Sequence, residues 1–133
     1  MGAAYYIVLE KKIDGFDSSM DGKALARSSE ALEEIATSLG IRPLTSFTSI
    51  DPADAAAFLQ AEGMDSIEIK LPPLQQFSAE EGLVTVRALL AHLQSQPSLV
   101  RKSDDVLLDL RACERILNAA STQAVRWHFE VDF

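Results

Sequence analysis

A single cysteine in 133 residues excludes an internal disulfide, so packing alone must hold this chain together. No apolar run approaches the ~18 residues of a membrane span, and the N-terminus lacks a basic segment followed by a hydrophobic one. An unprocessed cytoplasmic protein with no membrane partner is expected. Bases are outnumbered, 12 against 20 acids, and the net charge of −8 argues against a nucleic-acid partner, itself a polyanion. Two histidines, His92 and His128, are too few for a three-histidine metal site within one chain. There is no Gly-rich phosphate loop, no cysteine cluster and no Gly-x-Ser-x-Gly elbow, and no cofactor is predicted.

What is present suits a globular fold. The hydrophobic share is 47% and the charged share 24%, ordinary for soluble domains, and one domain of this length buries roughly 68% of its extended-chain surface. Residues 1–60 hold 9 acids and 5 bases, and residues 61–133 hold 11 and 7, so the acidity is even rather than gathered in a tail. Cys113 falls on the apolar stripe of a predicted helix and reads as a buried structural thiol.

The most strongly patterned stretch is the last, Ala124 to Phe133. Val125, Trp127, Phe129, Val131 and Phe133 alternate with Arg126, His128, Glu130 and Asp132, the period of a strand with one buried face. Residues two apart point the same way, so His128, Glu130 and Asp132 project together, and a neighbouring strand could add Tyr6 or Glu10. Imidazole and carboxylates so placed could bind a divalent metal, with His128 and Glu130 as ligands, or act as an acid and base pair. A solvated face that fits the pleat, or a partner-binding surface that includes Arg126, explains the same alternation.

The rest of the chain alternates strands and helices. Ala4–Glu10 is a predicted strand with Tyr5, Ile7 and Leu9 inward and Tyr6, Val8 and Glu10 on the wet face. A helix is predicted from Lys23 to Leu39 with Leu25, Ser28, Leu32, Ile35 and Leu39 on one side, stopped by Gly40. Thr45–Ile50 is a candidate strand, Asp51 and Pro52 start a second helix, and Ile67–Leu71 alternates as a strand ended by Pro72 and Pro73. Ser78 and Glu81 form a capping box for a helix to about Gln94, striped by Leu83, Val86, Leu90 and Leu93. The last helix, Asp105–Ala120, aligns Val106, Leu110, Cys113, Leu117 and Ala120. The order predicts an α+β two-layer sandwich, about four helices on a small mixed or antiparallel sheet, with the N- and C-terminal strands adjacent.

Two short stretches resemble known sites. In DSSMDG, Asp17, Ser19, Asp21 and Gly22 occupy the first, third, fifth and sixth places of a calcium loop and resemble half an EF-hand, which implies Asp17 and Asp21 as metal ligands. The twelfth place is Ser28 instead of a bidentate Glu, and turn and helix-capping chemistry explains the same residues. In GMDSIEIKL, Asp65, Ser66 and Ile67 resemble the attachment motif of acyl and peptidyl carrier proteins, which implies a phosphopantetheine arm on Ser66. The two prolines at 72 and 73 cut short the helix that family carries after its serine.

Compact size, even acidity and missing catalytic signatures favour a protein–protein interaction module over an enzyme. The expected partner is a basic protein, in the manner of an inhibitor or immunity protein, since an acidic surface raises the rate of encounter with a cation. The alternatives are a metal-dependent small-molecule binder or enzyme built on the last strand, and a homodimer formed through a sheet edge.

Overall fold

Trp127 opens the C-terminal strand, and its side chain is wholly buried. The computed structural model describes residues 3–49 and 74–132. Strands β1 (Ala4–Leu9) and β2 (Trp127–Asp132) pair antiparallel, with Ala4 opposite Asp132 and Leu9 opposite Trp127. Four α-helices are described: α1 (Lys23–Arg27), α2 (Ser29–Leu39), α3 (Ala79–Ser95) and α4 (Ser103–Thr122). They form the second layer of a two-layer α+β fold whose N- and C-terminal strands are neighbours, as the pattern predicts. The expected helix at Asp51 and strand at Ile67–Leu71, with Ser66, lie outside the described residues.

The strand pair is extended on both sides by single bridges. Gly22 meets Tyr5 on the far edge of β1, and Thr48 and Phe77 meet Phe129 and Trp127 on the far edge of β2. The indole of Trp127 stacks on Phe47 at 5.1 Å and meets Phe129 edge-on at 4.8 Å, while its Nε1–H donates to the Ser78 carbonyl. Such aromatic contacts are worth roughly 0.5–1.5 kcal/mol each beyond the area they bury. The bonded N–H leaves the ring with no unsatisfied polar atom.

Both long predicted stripes are buried, Leu83, Val86, Leu90 and Leu93 on α3 and Val106, Leu110, Cys113, Leu117 and Ala120 on α4. Ser78 Oγ accepts from the Glu81 N–H, while the Glu81 carboxylate turns to Arg42 instead of completing the box. Gly40 takes φ +71° and ends α2, with the Ile41 N–H reaching back to the Ala36 carbonyl.

Two expectations are corrected. The helix predicted over 23–39 is broken at Ser28, because α1 docks on α4 and β1 while α2 packs on the Leu44–Phe47 turn and α3. Leu39, past the end of the buried stripe, is exposed. The strand predicted from Thr45 is a 3-10 turn over Leu44–Phe47 followed by the Thr48 bridge. Its hydroxyls close the turn: Ser46 Oγ donates to the Pro43 carbonyl and Thr48 Oγ to that of Thr45, both at 2.7 Å.

Candidate functional site

The register of β1 on β2 decides what the polar row becomes. Tyr6 stands opposite Glu130 and Val8 opposite His128. The Tyr6 hydroxyl donates to Glu130 Oε1 at 3.2 Å, and Glu130 Oε2 lies 2.7 Å from His128 Nε2. The other ring nitrogen, Nδ1, lies 3.0 Å from the side-chain amide of Gln76, a residue that precedes α3. A chain of polar contacts thus runs from Gln76 through His128 and Glu130 to Tyr6. The wet face expected here is dry at its centre, since His128 is 1% exposed. Every buried side-chain nitrogen and oxygen among the described residues has a partner.

The imidazole, set between a carboxylate and an amide, can donate a hydrogen bond from either ring nitrogen. An amide turned either way satisfies Nδ1, by its oxygen when that nitrogen is protonated and by its NH2 when it is not. Burial keeps the ring itself away from a substrate. Tyr6, at the other end, lines an open cleft of about 950 Å3 between the outer edge of β1 and the loop that leads to α1.

The remaining predicted residues divide between this cleft and the end of the strand pair. Glu10 and Arg126 close that end: Arg126 donates from Nε at 3.1 Å and Nη2 at 3.0 Å to Glu10 Oε2, and its backbone N–H donates to Oε1 at 3.0 Å. The Arg126 guanidinium holds the Glu10 carboxyl below its ordinary pKa. Asp132 stands opposite Ala4 at the other end. Asp17 and Asp21 line the cleft, yet each serves local structure. Asp17 Oδ1 accepts the Ser19 hydroxyl at 2.6 Å and the Ser19 N–H at 2.9 Å, and these bonds, the hydroxyl first, lower its pKa. Asp21 Oδ1 accepts the Lys23 N–H at the start of α1.

No three His, Cys, Asp or Glu side chains gather to hold a metal among the described residues. Nor is any described helix long and apolar enough to cross a membrane. The chain matches no family model, no curated protein and no solved structure with which it was compared.

Three contributors escaped the sequence reading. Gln76 sits in a polar stretch with no periodic signal. Asp109 of α4 accepts the N–H groups of Ala24 and Leu25, at 3.0 and 3.2 Å, and so caps a helix that begins at Gly22 and lacks a capping side chain of its own. Arg115, also on α4, holds the cleft loop from behind. Its Nη1 donates to the Asp17 carbonyl at 2.9 Å and its guanidinium lies 5.1 Å over the Phe16 ring.

Proposed function

We propose that this protein is an acidic interaction module that binds a basic protein in the cytoplasm, in the manner of an inhibitor or immunity protein, without a cofactor. The observation that supports the reading is where the acidic excess stands. Glu30, Glu33 and Glu34 on α2, Glu80 and Glu81 on α3, and Asp104 and Asp105 on α4 are all exposed, in a chain of net charge −8. Charge distributed over several faces creates a field that steers a cation in from many directions and speeds encounter more than it deepens affinity.

The test is affinity capture of the tagged protein from its native lysate at low salt, followed by a wash at about 0.5 M salt, where screening falls to a few ångströms. A stoichiometric basic protein released by the salt is the expected result. Recovery of the tagged protein alone at both salt concentrations overturns the reading.

A further inference from the structure

We propose that the outer edge of β1 takes up an extended segment of the basic partner as an added strand, paired through the main chain of Ile7, which lines the cleft, and of Leu9, two residues further along the same edge. The pairing on the inner edge fixes which residues face outward. The Glu10 N–H donates to the Arg126 carbonyl at 2.9 Å, so Glu10, and by alternation Val8 and Tyr6, turn their main chains toward β2. The opposite edge of β2 agrees, since the carbonyls of Trp127 and Phe129 accept from Phe77 and Ser49. Tyr5, Ile7 and Leu9 therefore present their N–H and C=O groups away from the sheet.

Tyr5 is satisfied, exchanging both hydrogen bonds with Gly22 at 3.0 and 3.2 Å. Ile7 and Leu9 have no hydrogen-bond partner among the described residues. Ile7 belongs to the core cluster and also lines the cleft. An antiparallel continuation from the Tyr5 and Gly22 bridge would set Met20 opposite Ile7, but the loop does not follow that course. Arg115 draws Phe16 and Asp17 toward α4, and Met20 Sδ lies 3.9 Å from Cys113 Sγ. The edge is left open with a wall standing off from it, and an extended chain laid there gains main-chain bonds that water otherwise supplies.

The same wall selects the occupant. A second copy would have to bring its own loop into the cleft, against the repulsion of two chains each of charge −8. A single extended strand needs no such clearance. The cleft wall itself is balanced, Asp17 and Asp21 against Lys12 and Lys23, with Lys23 3.6 Å from Asp21, so the preference for a cationic strand comes from the net charge of −8. The charge of the occupant rests on the basic-partner reading above; the mode of pairing rests on the open edge.

The experiment uses the full chain and three synthetic decapeptides: alternating Lys and Thr, alternating Glu and Thr, and the Lys peptide N-methylated at alternate residues. Amide hydrogen exchange is followed by NMR. In the free protein the Ile7 amide exchanges faster than its neighbours Tyr6 and Val8, and a protected Ile7 amide overturns the proposal. Addition of the Lys peptide slows exchange at Ile7 and Leu9 by on the order of tenfold or more, and the N-methylated peptide does not. A Lys peptide that binds without protecting Ile7 overturns strand addition and leaves the basic-partner reading standing. Equal protection by the Glu peptide upholds the edge and overturns the charge of its occupant. Protection that rises with protein concentration alone assigns the edge to a second copy and overturns the proposal, as does failure of every peptide to bind.

Discussion

Gly82 of α3 lies against the indole of Trp127 so closely that a Cβ there would stand 2.8 Å from Cε2, and 2.9 Å from Leu117 Cδ1 on the other side. The ring is held in place by its Nε1–H bond to Ser78 and by the stack on Phe47, and Leu117 is wholly buried. Helix propensity favours Gly82→Ala by roughly 1 kcal/mol, and overpacking opposes it by about 1–3 kcal/mol. The expected net effect is destabilisation, read as a lower urea midpoint and a Tm lower by several degrees. Combined with Trp127→Phe, the same change should cost less than alone, because the smaller ring vacates the space the methyl needs.

The polar row makes its own prediction. Glu130→Ala leaves His128 Nε2 buried with its acceptor removed, at a cost of about 1–3 kcal/mol, whereas Tyr6→Phe deletes one hydroxyl donor and costs about 0.5–1.5 kcal/mol. Urea unfolding of both variants checks the order. A Glu130→Ala protein as stable as the parent would show that the row contributes nothing to the fold.

Asp109 caps α1 from another helix, and burial raises its carboxyl above the ordinary pKa despite the two N–H bonds that lower it. A raised folded value means that the native state holds this proton more tightly than the unfolded chain does. Its contribution is fully present below the ordinary carboxylate range and is lost as pH rises through the raised value. Asp109→Asn keeps an acceptor and no charge, so the parent should lose stability relative to it between about pH 3 and pH 7. Asp109→Ala, which orphans both amides, should cost about 0.5–2 kcal/mol at low pH and less at neutral pH.

Glu10 has the opposite sign. The Arg126 bonds lower its pKa, so its contribution is present above the ordinary value and is lost as pH falls through the lowered one. Acid titrations of the parent and of Glu10→Gln should therefore converge at low pH and separate at neutral pH.

Cys113 is wholly buried, and desolvation drives its thiol pKa far above the ordinary value. Thiol-directed reagents should label it at the rate of unfolding. Labelling at the speed of a free thiol in native buffer would place it at the surface.

Strand pairing, the α3 and α4 stripes and the Ser78 cap were legible because each repeats a period or places a capping residue at a fixed distance. The Lys23–Leu39 helix was legible in its apolar face and not in its break, since Ser28 keeps the stripe in register while two docking surfaces pull its halves apart. His128 shows the limit of alternation. A polar residue in a period-two run reads as wet, and only the arrival of Gln76, 52 residues away in sequence, makes its burial affordable. The Asp109 cap, the Arg115 tether and the open edge at Ile7 depend on distant segments and leave no local pattern to read.

The pairing of β1 with β2 also sets a clock. More than a hundred residues separate Leu9 from Trp127, which face each other across the ladder. On a ribosome adding roughly 5–20 residues per second, β1 waits about 6–24 s for the strand that will cover its inner edge. Through that interval its alternating Tyr5, Ile7 and Leu9 side chains have no Trp127 or Phe129 to pack against. Gly22 follows soon enough to meet Tyr5 on the outer edge, but until β2 is made the inner edge of the first strand stands open to whatever passes.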